Sequence, residues 1–126
     1  MGAMDVGLST ANGLYQQAAA GTFTMEAGVA KECADAYKRL VDNTIDPQIV
    51  RARNLYSLQG FSTFTSSKEL KAGFEGKARD LVNALESAKE AALQMAAAHL
   101  LAGKLIQEAD EMHRQSIKVT TEEIGK

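Results

Sequence analysis

At 126 residues, 45% hydrophobic and 24% charged, the chain is a single foldable domain with a modest core and little room for an enzyme pocket. Fourteen basic against sixteen acidic residues, with no basic block, leave no charge footprint for a nucleic acid or an anionic membrane. Trp is absent, Pro occurs once and Ala is abundant, which suits close-packed helices rather than a sandwich or barrel.

The chain opens Met1-Gly2-Ala3-Met4 without a basic stretch leading into an apolar run, so no secretory signal is expected. The first three residues read as a cloning remnant ahead of Met4. No segment is long and apolar enough to cross a bilayer. Leu8, Ala11, Tyr15 and Ala18 then recur at helical spacing, although Gly7 and Gly13 weaken that helix. Residues 1–21 read as an extension or a short helix, 22–118 as the helical domain and 119–126 as a flexible tail.

The first long helix is expected to begin near Thr22 or Thr24, either of which can cap it, with Glu26 favourable in the first turn. Val29, Cys33, Tyr37, Leu40 and Val41 form its apolar face. The lone Cys33 has no intrachain disulfide partner and reads as a small buried apolar residue. Pro47 deletes an amide and crowds the carbonyl of Asn43, predicting a kink, or a break that makes Asp46 a new cap. The pattern resumes with Ile49, Ala52, Leu55 and Tyr56 and stops at Gln59-Gly60.

The turn from Gly60 through Phe61 and Phe64 to Thr65 is short enough to force antiparallel helices, its two Phe rings plugging the helix ends. Ser66-Ser67-Lys68-Glu69 fits a capping box. Alternating steps of four and three then visit Leu70, Phe74, Lys77, Leu81, Ala84, Ala88, Ala91, Met95, Ala98, Ala102, Leu105, Ala109 and Met112. Only Lys77 among these is not apolar. Such a stripe predicts a left-handed, coiled-coil-like seam on one helix from Ser67 to about Ile117. Glu75, Arg79, Glu86, Lys89 and Lys104 fall on the solvated face. Leu81, Leu85, Met95 and Leu105 are expected to carry most of the burial, with Ala98, Ala102, Ala109 and Met112 completing an interface seam. Pairing residue 58 with 67 leaves about sixteen residues overhanging at the C-terminal end. Either the N-terminal segment or a partner covers them. The expected fold is therefore all-α: an antiparallel hairpin of two long helices with a short N-terminal helix, pairing into a four-helix bundle.

Nothing in the chain assembles into catalytic chemistry, and no cofactor is implied. His99 and His113 lie fourteen residues apart on one helix, roughly 21 Å, too far to share a metal. Asp110-x-x-His113 has the spacing of a bundle di-metal ligand pair, but the apolar stripe offers no facing carboxylates. Glu26, Glu32 and Asp35 read as an ordinary solvated face. A non-enzymatic protein is expected.

The layout resembles the Trp-x-Gly (ESX) helical hairpins of actinobacterial type VII secretion, and among them the Esp-type relatives. The likeness covers about Thr24 to Ile117 and is carried by Gly60-Phe61, Leu70, Gly73-Phe74, Lys77-Ala78 and Ile106 through Glu111. That family bears a Tyr-x-x-x-Asp/Glu export motif. Asp110 fits its acidic place, Ile106 stands where Tyr is expected, and the turn lacks the Trp. The resemblance implies a secreted substrate, or its targeting partner, that leaves the cell without a signal peptide. It would act by pairing with another hairpin, its own copy or a different chain, and could engage a secretion ATPase or a toxin. The alternative is a cytoplasmic adaptor or chaperone that covers an apolar helix of its client.

Overall fold

The computed structural model describes residues 7–55 and 65–124, with 65–67 and 120–124 as backbone only. The fold is all-α. Helix α1 spans Leu8–Ala20, α2 Ala27–Leu40, α3 Asp46–Asn54, α4 Thr65–Ala102 and α5 Ile106–Ile124. A π-helical turn, Val41–Ile45, joins α2 to α3. The other helices all pack on α4, and among the described residues α1, α2–α3 and α5 make no close backbone approach to one another.

Alanine gives α4 this central place. Between Ala91 and Ala102 it buries Ala91, Ala92, Ala96, Ala97, Ala98 and Ala102 with Leu93 and Leu100, on nearly every side. Methyl side chains let several helix axes close in at once, and Leu93, Leu100, Met112, Val41, Ile45 and Ile49 fill the space between them. The α2–α3 rod runs antiparallel to α4, tied by Asp46–Lys89 (2.9 Å) and Arg53–Glu86 (3.0 Å). Helix α5 also runs antiparallel, its Ser116 hydroxyl donating to the Glu90 carbonyl (3.2 Å). The N-terminal segment does form a helix, α1, which buries Ala11 and Ala18 against α4.

The single helix expected from Ser67 to Ile117 is two helices. The chain turns at Gly103-Lys104-Leu105, where the Leu105 amide donates to Leu100 C=O and the Lys104 amide to Leu101 C=O, both at 2.9 Å. This is a Schellman closure with Lys104 in the left-handed region at φ 62. Such a corner normally shows as glycine at the left-handed position; here Gly103 precedes it and serves a different need. A Cβ on Gly103 would lie 2.5 Å from the Ala30 Cβ, so glycine allows the start of α2 to close on the end of α4. The Met25 amide donates to Ala102 C=O (3.0 Å), taking one carbonyl that the helix end leaves open.

Because α5 folds back, no C-terminal overhang exists. Arg53, near the end of α3, is level with Glu86, and α4 itself extends from that level to Thr65, roughly 30 Å. Three smaller expectations also change. The N-cap of α2 is Glu26, whose carboxylate accepts from the Gly28 and Val29 amides at 2.9 and 3.3 Å, rather than Thr22 or Thr24. The face that α2 buries carries Ala30 and Ala34, while Val29 and Leu40 are exposed; at Ala30 the reason is the approach of Gly103, which leaves room only for a small side chain. Residues 119–124 continue α5, with Val119 in the core, and are not a tail.

A new helical segment, α3, does begin at Asp46, but Asp46 is itself helical and the N-cap position falls to Ile45. Pro47 sits in the first turn of α3, where a missing amide is least needed. The π turn just before it, closed by the Asp46 amide on Val41 C=O, widens the helix. Val41, Ile45 and Ile49 thereby bury along one line facing α4.

Candidate interaction surface

Past the level of Glu86, α4 carries its seam into solvent. Leu70 is 60% exposed, Leu81 46% and Phe74 37%, all on one helical face, while Ala78 and Val82 on an adjoining face are buried. Continuing along the same line, Ala88, Ala91, Ala92 and Met95 form the floor of an apolar groove. One wall is Tyr37, Leu40 and Ile45 of the α2–π segment, and the other is Gly7 and Thr10 at the start of α1. The exposed stripe and the groove make one track from Leu70 to Met95, roughly 38 Å long.

Of the sequence-predicted seam residues, Ala98, Ala102, Ala109 and Met112 are buried in the chain's own core, so they are no partner surface. Leu85 and Leu105 are half-buried against that core and Met95 lines the groove. Leu81, expected inside, is outside. Glu86, expected on the solvated face, is 7% exposed and paired with Arg53. The turn residues Gly60, Phe61 and Phe64 lie outside the described residues. The sequence carries no signal for the groove wall of Leu40 and Ile45, because the π turn that sets it has no compositional mark.

Ile106 and Asp110 occupy the first turns of α5, directly after the corner, both exposed and one helical turn apart on one face. The corner holds them on ordered helix. Asp110 also acts on Tyr15: burial, then the charge of Asp110, raises the phenol above its ordinary value. Tyr15 stacks on His113 with ring centroids 4.7 Å apart, and His113 Nδ1 donates to Gln94 Oε1 at 2.8 Å. This chain of contacts joins α1, α5 and α4.

His99 has a comparable place. Its Nδ1 donates to Met95 C=O at 2.7 Å, and its ring meets Phe23 edge-on at 5.6 Å and Tyr37 at 5.5 Å. Both histidines therefore act as packing residues at helix boundaries. Among the described residues no three His, Cys, Asp or Glu side chains are grouped to hold a metal, and no helix is long and apolar enough to cross a membrane. Cys33 is a half-buried free thiol.

No protein-family model, curated protein or solved structure matches the chain.

Proposed function

We propose that this protein acts without catalysis, by helix–helix assembly, as a substrate or targeting partner of a type VII-like secretion system. The observation that carries the reading is the apolar track on α4, which a monomer leaves in water for several turns at Leu70 and Leu81. Ile106 and Asp110 support the export half of it. They stand together on ordered helix, exposed, where a receptor could read them on a folded bundle. In this reading the protein leaves the cell by a route that needs no signal peptide, paired with another helical protein.

Asp110→Asn in the native host tests the export claim. Since Asp110 is exposed, the melting temperature should change little, while the ratio of protein in the culture filtrate to protein in cells falls sharply. Ile106→Tyr should maintain or raise that ratio. Normal export of the Asp110→Asn protein removes the signal. The same apolar track would then belong to a cytoplasmic adaptor that covers a client helix.

A further inference from the structure

Helix α5 begins with three carboxylates, and they are not used alike. Glu108 pairs with Lys31 at 3.5 Å and Glu111 with Arg114 at 2.7 Å, while among the described residues Asp110, exposed between them, is in no ion pair. Its neighbour is an aromatic ring from another helix. His113, one turn beyond Asp110, carries the half-buried Tyr15 ring of α1 stacked on it, the two planes 13° from parallel. The His113 ring is fixed in turn by its bond to Gln94 of α4 at 2.8 Å. A phenol held in this way has little rotamer freedom left to lose when something binds it.

The phenol also feels the carboxylate. Burial first, and then the Asp110 charge, raise Tyr15 above its ordinary value, so its hydroxyl stays protonated beside the acid. Two oxygens able to accept hydrogen bonds, one of them charged and unpaired, therefore share one patch of surface contributed by α1 and α5. A guanidinium suits such a patch, because its planar fork donates to two acceptors at once and its charge answers the carboxylate.

We propose that Tyr15 belongs to the same recognition surface as Ile106 and Asp110, and that the protein meeting it brings an arginine to the Tyr15 hydroxyl and the Asp110 carboxylate; this rests on the export reading above and extends its site from α5 onto α1. The surface exists only while α1 is docked. Helix α1 buries just Ala11 and Ala18, so recognition also reports that this light helix is in place.

Tyr15→Phe in the native host tests it, since the change removes one oxygen and leaves the stack on His113 intact. The ratio of protein in the culture filtrate to protein in cells should fall roughly ten-fold, the loss of one hydrogen bond to a charged group. Circular dichroism should show an unchanged melting temperature. Adding Tyr15→Phe to Asp110→Asn should lower export little further, because both changes strike one contact. Asp110→Glu, which keeps the charge, should retain most of the export that Asp110→Asn loses. Wild-type export of Tyr15→Phe beside failed export of Asp110→Asn overturns the proposal and leaves the export reading standing. A loss in Tyr15→Phe that only follows a lower melting temperature overturns it too, as a packing effect. Normal export of Asp110→Asn overturns both.

Discussion

Between Ala91 and Ala102, α4 is enclosed by α1, α2 and α5; between Lys68 and Leu81 the same helix holds Leu70 and Leu81 out in water. Both stretches share one apolar spacing, so periodicity alone does not separate them. Side-chain size does. The inner stretch is mostly alanine and accepts a neighbour on every side. The outer stretch has large residues on a single line, with Lys77 among them and charged residues around it. An apolar stripe states that a face wants cover, and leaves open whether the cover comes from the chain or from outside.

The sharpest way to break this comparison is to truncate one leucine from each stretch. Leu93→Ala removes a side chain from the shared core and should lower unfolding free energy by ~2–5 kcal/mol. Leu81→Ala in dilute protein should shift it by less than about 0.5 kcal/mol. Denaturant titration reads both. Equal costs would mean that the outer seam is buried by the chain itself.

The corner that encloses the inner stretch gives the next largest effects, of opposite sign. Gly103→Ala drives a methyl into Ala30 and should destabilise by ~1–3 kcal/mol. Lys104→Gly relieves the left-handed backbone at φ 62 and should stabilise by about 1 kcal/mol. Thermal melts of the two variants should therefore move apart from the wild type in opposite directions. If both melted lower, the corner would not have this geometry.

The sequence and the structure agree wherever a local rule decides. All-α architecture follows from composition and period, the start of α4 at Thr65 falls within two residues of Ser67, and the weak helix of Leu8, Ala11, Tyr15 and Ala18 exists. They part wherever tertiary packing reassigns a residue. Gly103 reads as a weak point in a long helix because its use, the approach of Ala30, is visible only once α2 is in place. Lys104 carries no sign of a left-handed backbone. Large Val29 outranks Ala30 in any apolar count, yet the close end of the bundle at Gly103 admits only the alanine. Of the candidate surface, Leu70, Phe74 and Leu81 were legible as a stripe and Ile106 with Asp110 as a spaced pair. Their exposure was not legible, since it depends on where α3 ends and α5 turns back.

Amide hydrogen exchange along α4, at several protein concentrations, tests most directly that one helix is core at one end and assembly surface at the other. Amides from Ala91 to Ala102 should exchange only through global unfolding in dilute protein, and those from Lys71 to Leu81 by cheaper local opening. Raising the concentration should slow the outer amides as the seam is covered, ahead of any change at the inner ones. Uniform protection along α4 that is independent of concentration would contradict the account.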